Sequence, residues 1–496
     1  MLAQVTVVVP TIGRPSLEVL LDALASAPGP RPAELVLVDD RPTGEPLRPD
    51  RPGLPPVRVV RTGGGGPARA RNLGWRTART EWIAFLDDDV VPDRDWYQRL
   101  EDDIAAVAPD VAGSQGRVRV PLPDHRRPTD WERGTAGLAT SSWITADLAY
   151  RRAALARVGG FDERFPRAFR EDSDLALRVM DTGARLVRGE RWITHPVRPA
   201  DRWVSLRVQA GNADDVLMRR LHGPGWRRRA DAALGRRPQH MAVTAAALVA
   251  VGLAVTGRPR GALAAVAAWA AGTAEFAWRR IAPGPRDRAE VTTMLATSAL
   301  IPPLATWHWL KGVGEHRAVR PWRGLPDLVL FDRDGTLVHD FPYNGDPEWV
   351  RPVDGAKEAL DRLRARGVRV GVVSNQSGVA RGLITGEQVD ACMTRLAELL
   401  GPFDTVQVCP HGPEDGCACR KPAPGMVTTA CAELDVDPAR CVVVGDIGAD
   451  VEAAAAAGAS GIMVPTPVTR REEVQAAQRR AGTVEAAVER VLAGDW

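Results

Sequence analysis

Cysteine is scarce: the chain of 496 residues has six, and Cys392, Cys409, Cys417, Cys419, Cys431 and Cys441 all fall in its last quarter. A secreted disulfide framework distributes paired cysteines through a short chain, so that class is excluded. Net charge is also small, +3, which excludes a generally basic protein built to coat nucleic acid. Lysine is nearly absent, with Lys311, Lys357 and Lys421 alone among 65 basic residues; the bias toward Arg, Ala, Gly and Pro reflects a GC-rich genome and carries little chemistry. A basic n-region is missing from MLAQVTVVVPTIGRP, and its apolar run is short, so it reads as a first strand rather than a signal peptide. No short internal repeat occurs. A cytosolic, reducing location is expected for the soluble parts.

What is present exceeds one core, and two or three domains are expected for this length. In residues 1–225, VTVVVP (5–10), ELVLVDD (34–40) and WIAFLDDD (82–89) are continuous apolar runs ending in polar residues. Such runs predict strands buried on both faces, hence a parallel sheet covered by helices. Residues 321–496 repeat the pattern in DLVLFDRDGT (327–336), GVRVGVVSNQ (367–376) and CVVVGDIGAD (441–450), with a helix over GAKEALDRLRARG (355–367) closed by Gly367. The fold class is α/β, two Rossmann-like parallel-sheet domains joined by an apolar helical segment.

That segment, 226–320, opens on the basic WRRRADAALGRR (226–237). MAVTAAALVAVGLAVT (241–256), ALAAVAAWAAGTAEFAW (262–278) and VTTMLATSALIPPLATWHWL (291–310) follow, the last interrupted by a Pro302-Pro303 break. A span needs about 20 residues, so a buried helical hairpin is one reading. Basic clusters at Arg227–Arg229 and Arg279–Arg280, with Trp at the edges, favour a membrane-associated one. Both flanking domains need cytosolic substrates, which requires an even number of crossings: two spans, or a re-entrant hairpin with a third interfacial segment.

DLVLFDRDGT sets Asp332 and Asp334 just past a strand's carboxyl end, where open α/β sheets bind ligands. One carboxylate can attack phosphorus and the other shuttle a proton while a divalent cation screens their repulsion. SNQSG (374–378) offers hydroxyl and amide donors for phosphate oxygens, Lys421 a fixed positive charge, and GDIGAD two further acids, Asp446 and Asp450. In this order, FDRDGTL, SNQSGVARG, CPH…CxCRKPAPGM and VGDIGAD resemble the haloacid-dehalogenase-superfamily phosphatases over about residues 327–465. The narrower resemblance is to the branch holding histidinol-phosphate phosphatase and D-glycero-D-manno-heptose 1,7-bisphosphate 7-phosphatase. It implies that Asp332 is the nucleophile, forming an aspartyl-phosphate, and that Asp334 protonates the leaving group and then activates water. It implies Mg²⁺ on Asp332, Asp446 and the backbone carbonyl of Asp334, with Asp450 in support. Ser374, Asn375 and Lys421 would bind the phosphoryl group and Arg420 the substrate; Ser374 stands where threonine is common.

Cys409-x-His411 and Cys417-x-Cys419 supply three thiolates and one imidazole, a closed tetrahedral set for structural zinc with no position left for water. The metal would order a loop that delivers Arg420 and Lys421. Cys392, Cys431 and Cys441 lie in apolar patterns and are expected in the core.

At the N-terminus, LDDDVVPD puts Asp87, Asp88 and Asp89 at a strand end, after VDDRP (38–42) and the glycine- and arginine-rich GGGGPARARNLG (63–74). Glycines allow close backbone approach and arginines favour a phosphate-bearing ligand. With FDERFPRAFREDSDLALR (161–178), these stretches resemble family-2 glycosyltransferases of the GT-A fold over about residues 4–225. The resemblance implies a nucleotide contact at Asp39, a DxD pair at Asp87 and Asp89 holding Mn²⁺ or Mg²⁺, and a catalytic base at Asp172, with Glu171 the second candidate. His195, in THPVRP, is either a further metal ligand or structural. Arg41-Pro42 replaces the family's common Gly-Ser after VDD, so the nucleotide is not specified.

The resulting expectation is a bifunctional enzyme: inverting glycosyl transfer from a nucleotide sugar, plus hydrolysis of a sugar-phosphate monoester. Its partners are a sugar phosphate, a nucleotide sugar, a glycan or lipid-linked acceptor and the membrane, with no nucleic acid. Its place is the cytoplasmic face of the inner membrane. The alternative is a histidinol-phosphate phosphatase whose N-terminal half is a non-catalytic glycan- or nucleotide-binding module.

Overall fold

The computed structural model describes residues 2–319 and 321–496, which divide into two compact units, Met1–Trp322 and Arg323–Trp496.

The first unit is built on eight strands: β1 (Val5–Thr11), β2 (Glu34–Asp39), β3 (Val57–Arg61), β4 (Trp82–Leu86), β5 (Val91–Pro92), β6 (Val111–Arg119), β7 (Asp147–Arg151) and β8 (Arg185–Thr194). Their spatial order is β3-β2-β1-β4-β7-β6-β8-β5. Alternate residues of β1 feed two cores: Val7 and Val9 pack with Leu17, Leu20 and Trp96 on one face, and Val8 with Leu73 and Leu175 on the other. Burial on both faces is why β1 reads as an unbroken apolar run. The helix Pro67–Thr77 lies close on the sheet: a Cβ on Gly74 would come within 2.3 Å of Val8 Cγ1.

The expected parallel sheet holds for β3-β2-β1-β4 but not throughout. β7 runs antiparallel to β4 and β6, and β5 antiparallel to β8. After β6 the chain stays at the carboxyl rim, forming the helix Asp130–Ala136 there, so β7 must enter the sheet from that rim and run the opposite way.

Three long helices of the middle segment, Arg237–Val255, Pro259–Ile281 and Arg288–Glu315, pack on one another within this unit. Pro302 and Pro303 do not break the third; both lie inside it. Each proline costs about 3 kcal/mol in a helix interior, offset here by a buried stripe of Met294, Thr297, Ile301, Pro302 and Ala305. Gly312 brings this helix against the helix Gly211–His222: a Cβ there would lie 2.8 Å from Ala213 Cα. Many large apolar side chains of the segment face outward, among them Leu248, Val251, Leu263, Trp278 and Trp307. Among the described residues one helix, Arg237–Val255, is long and apolar enough to cross a membrane.

The second unit has five strands, β9 (Leu328–Phe331), β10 (Arg369–Asn375), β11 (Thr405–Cys409), β12 (Cys441–Gly445) and β13 (Ser460–Met463). They are all parallel, in the order β11-β10-β9-β12-β13. Strand order reverses between β9 and β12, as it does between β1 and β4 in the first unit. Crossovers leave such a switch point in opposite directions and open a crevice at the carboxyl ends.

Candidate functional sites

At the β9/β12 switch, Asp332 follows β9 directly, and its N–H donates to Val444 O at 2.8 Å. Its carboxylate meets Lys421 Nζ, which also lies 2.6 Å from Asp450 Oδ1 and donates to Val373 O at 2.9 Å. Asn375 brackets the lysine backbone, donating to Lys421 O at 3.2 Å and accepting from Lys421 N at 3.1 Å. One oxygen each from Asp332, Asp446 and Asp450 fall within 4.8 Å of one another, all three buried. Burial, reinforced by the Asp450 charge, pushes the Asp446 carboxyl up to about 7. Burial likewise raises Asp332, even against Lys421. Three converging acids facing one ammonium are a donor set that fits a divalent cation. Gly335, at φ +76°, closes the turn; a Cβ there would sit 2.5 Å from Asp446 Oδ2.

Asp334 is not part of this cluster. Arg333 Nε donates to its Oδ1 at 2.9 Å, and Gln376 Nε2 donates at 2.8 Å both to Asp334 Oδ2 and to Ser374 Oγ. Gln376 N donates to Cys409 O at 2.7 Å. Sequence reading passed over Gln376 although SNQSG contains it, because a lone glutamine beside a hydroxyl signals nothing until its two partners are known.

The cysteine loop closes as expected. Cys409 Sγ lies 3.6 Å from His411 Nδ1 and 3.7 Å from Cys417 Sγ. Cys419 Sγ lies 3.3 Å from Cys409, 3.3 Å from His411 Nδ1 and 3.5 Å from Cys417. Tetrahedral metal–sulfur bonds of about 2.3 Å set ligand atoms about 3.8 Å apart, so the four donors fit a zinc ion. No two are joined as a disulfide. Arg420 Nη1 donates to His411 O at 3.1 Å, tying the loop to the residue before Lys421. Cys392, Cys431 and Cys441 are buried in the core.

In the first unit the β1/β4 switch opens into two adjoining cavities. One, of about 200 Å³, is lined by Thr11, Arg14, Asp40, Asp87 and Asp88. The other, of about 330 Å³, is lined by Asp87, Asp89, Glu171, Asp172 and His195. Arg71, Asp87 and Arg198 belong to both. The three aspartates divide: Asp87 Oδ1 accepts from Arg71 Nη2 at 2.7 Å, Asp88 accepts from Thr11 Oγ1 at 2.7 Å and Arg14 Nη1 at 2.9 Å, and Asp89 pairs with Arg198. His195 Nε2 is 3.5 Å from Asp89 Oδ2. Neither oxygen of the buried Asp89 accepts a hydrogen bond, and burial raises its pKa, against His195 and Arg198. Asp89, ion-paired with Arg198 but accepting no hydrogen bond, lies beside Asp87 in one cavity, and the two acids fit a cation-binding role.

Glu171 and Asp172 start the helix Glu171–Asp181, behind Arg170, whose φ of +79° is held by an ion pair of 2.9 Å to Asp215. Glu171 turns inward to Arg71 at 2.8 Å, and burial with the Asp172 charge pushes its carboxyl up to about 8. Asp172 is half-buried and lines the cavity, with Oδ1 accepting from Ser173 N at 2.6 Å. Asp39 is enclosed: Arg41 Nε and Nη2 reach its two oxygens at 2.8 Å each. Its neighbour Asp40 lines the cleft and accepts from Gly65 N at 2.7 Å and Gly66 N at 2.9 Å. Arg71, Arg198 and Asp40 were not singled out from sequence; GGGGPARARNLG flagged arginines but not which one.

The profile of Glycosyl transferase family 2 matches residues 6–164, and a HAD-hydrolase-like profile matches residues 418–489. The C-terminal part is 39% identical over 155 residues to the D-glycero-β-D-manno-heptose-1,7-bisphosphate 7-phosphatase of Bordetella bronchiseptica, covering 30% of this chain and 86% of that protein. It is 39% identical over 146 residues to the same-named phosphatase of Pseudomonas aeruginosa, covering 28% and 81%. A crystal structure of the B. bronchiseptica D,D-heptose 1,7-bisphosphate phosphatase, complexed with magnesium and phosphate, matches with 35% identity over 34% of this chain and 98% of that one, at a TM-score of 0.32. The chain is therefore an enzyme that belongs, through its C-terminal unit, to the HAD phosphatases that include the heptose-1,7-bisphosphate 7-phosphatases, and its N-terminal unit carries a domain that matches glycosyl transferase family 2 over residues 6–164.

Proposed function

We propose that the C-terminal unit removes a phosphate from a sugar bisphosphate of the heptose 1,7-bisphosphate class through an aspartyl-phosphate. The observation that carries this is the convergence of Asp332, Asp446 and Asp450 around Lys421. Asp332 attacks phosphorus as the bond to the sugar oxygen breaks, and Asp334 gives its proton to that oxygen. Asp334, now a carboxylate, takes a proton from the water that attacks the acyl phosphate, releasing inorganic phosphate and restoring Asp332. Lys421 and Ser374 hold the phosphoryl oxygens, Asn375 holds Lys421, and Arg420 reaches toward the rest of the substrate. Asp332, Asp446 and the carbonyl of Asp334, backed by Asp450, would hold Mg²⁺, which supplies charge neutralisation at the phosphoryl group. Cys409, His411, Cys417 and Cys419 would hold zinc as a purely structural ion.

The test is phosphate release by the full chain from heptose and hexose bisphosphates and from histidinol phosphate. The short interval between His411 and Cys417 favours histidinol phosphate as the second reading, and release from it alone would overturn the sugar assignment. Gln376→Ala should lower kcat about tenfold with little change in KM, because it frees Asp334 to turn from the leaving oxygen; general acid–base catalysis contributes about 10²–10⁴-fold in all. Steady-state kinetics with that substrate check this.

The N-terminal unit, on this reading, transfers a sugar from a nucleotide sugar with inversion. Asp87 and Asp89, with His195 alongside, would hold Mn²⁺ or Mg²⁺ against the diphosphate, and Asp40 would meet the nucleotide while the enclosed Asp39 holds Arg41. Asp172 deprotonates the acceptor hydroxyl; Glu171, committed to Arg71, tunes it. Asp172→Asn should cut transfer by about 10²–10⁴-fold while nucleoside diphosphate binding, measured by calorimetry, persists. Unchanged transfer would leave a binding module instead. Residues 226–320 attach the enzyme to the cytoplasmic face of the membrane; recovery of the full chain in the soluble fraction without detergent would sink that assignment.

A further inference from the structure

We infer that the cavity beyond Asp172 is the acceptor site of the transferase, and that its ligand is an amphiphile: a saccharide head in the cavity and an apolar tail along the middle helices. This rests on the transferase reading above. The cavity, about 720 Å³, lies between the helix Asp130–Ala136, residues 197–208 and the first turns of the helix Arg288–Glu315. Ligand sites run to roughly 300–1,000 Å³, so it holds more than one sugar ring.

Position argues first. Arg198 lines this cavity, the catalytic one and the Thr11–Asp40 cleft alike, and Trp131 and Gly134 line this cavity and the catalytic one. The three form one track with Asp172 in the middle. If the nucleotide occupies the Thr11–Asp40 end, the acceptor hydroxyl reaches Asp172 from the opposite end.

Chemistry argues second. Asp130, Glu132, Asp201, Asp287 and Glu290 outnumber the two guanidinium groups in the lining. Arg280, Arg126 and Arg207 neutralise Asp130, Glu132 and Asp201 from behind, so the wall is polar without being strongly charged, and its carboxylate oxygens accept hydrogen bonds from hydroxyls. Trp131, fixed by its Nε1 donating to Arg198 O at 2.8 Å, offers an indole face for the C–H side of a pyranose.

The tail follows from what continues the wall. Met294 lies in the cavity, Leu300, two turns beyond Thr293 on the same face of that helix, is 48% exposed, and Val208 on the facing wall is 53% exposed. The two walls are locked together. Arg280, almost wholly buried, reaches Asp130 at 2.8 Å and Thr297 Oγ1 at 2.8 Å; Arg133 Nη2 donates to Arg280 O at 2.8 Å; Asp130 N donates to Glu290 Oε1 at 2.8 Å. The segment expected to meet lipid therefore also shapes the acceptor end of the active site, and it lies outside the residues the family profile covers.

The full chain in lipid nanodiscs, given a panel of nucleotide sugars, should transfer to dodecyl glycosides at least tenfold faster than to methyl glycosides of the same sugars. Thr293→Trp, which fills the floor, and Trp131→Ala, which cannot clash, should each lose at least tenfold in transfer while the chain stays folded by circular dichroism. Equal use of methyl and dodecyl glycosides would overturn the tail, and wild-type transfer by both variants would overturn the cavity. If the wild-type chain consumes no nucleotide sugar with any acceptor, the transferase reading itself fails, a distinct result.

Discussion

Asp332→Asn should abolish phosphate release, lowering kcat on the order of 10⁴-fold or more, since an amide cannot attack phosphorus and no neighbouring group can substitute. The fold should survive. Lys421 keeps its 2.6 Å contact to Asp450 and its bond to Val373 O, and the change removes one of three mutually repelling buried acids. The apo protein should therefore unfold at the same temperature as the wild type or slightly higher. Magnesium distinguishes the two: a cation present at about 100 times its Kd stabilises by about 2.7 kcal/mol, and the variant should lose most of that shift. Calorimetry with and without Mg²⁺, beside a phosphate-release assay, reads both effects. Activity within tenfold of wild type would remove Asp332 from the nucleophile's role.

Loss of zinc should be nearly as damaging to the same unit. Between Cys409 and Lys421 the loop has almost no core: His411 and residues 413–416 are exposed, and its protein hydrogen bonds include Gly412 N to Asp415 and Gly425 N to Ala418 O. Three sulfurs lie 3.3–3.7 Å apart; without a cation they take up protons in place of metal bonds, and the ligation that orders the loop is lost. Structural zinc sites are worth about 10–16 kcal/mol in small peptides, comparable to the whole stability of a domain at about 5–15 kcal/mol. Cys417→Ser with Cys419→Ser should lower phosphatase kcat/KM at least about 100-fold by freeing Lys421, and should leave nucleotide-sugar turnover by the other unit intact. The wild-type chain should carry one zinc per molecule by elemental analysis. A zinc-free preparation with full phosphatase activity would refute the assignment.

Sequence alone determined the features whose chemistry is local. Asp332 and Asp334 share one turn, the four metal donors lie within eleven residues, and both-face burial writes a continuous apolar run. Each could be read without knowing where the chain goes next. Tertiary structure alone decided whatever depends on the path between distant segments: β7 reversing because its connection stays at the rim, Pro302 and Pro303 carried inside a helix by its packing, Gln376 joining Ser374 to Asp334, Arg71 spanning Asp87 and Glu171, and Arg280 locking the middle helices to Asp130. Arginine and glutamine have long side chains and no characteristic spacing. Their partners are chosen by proximity after folding, and a linear pattern contains no trace of that choice.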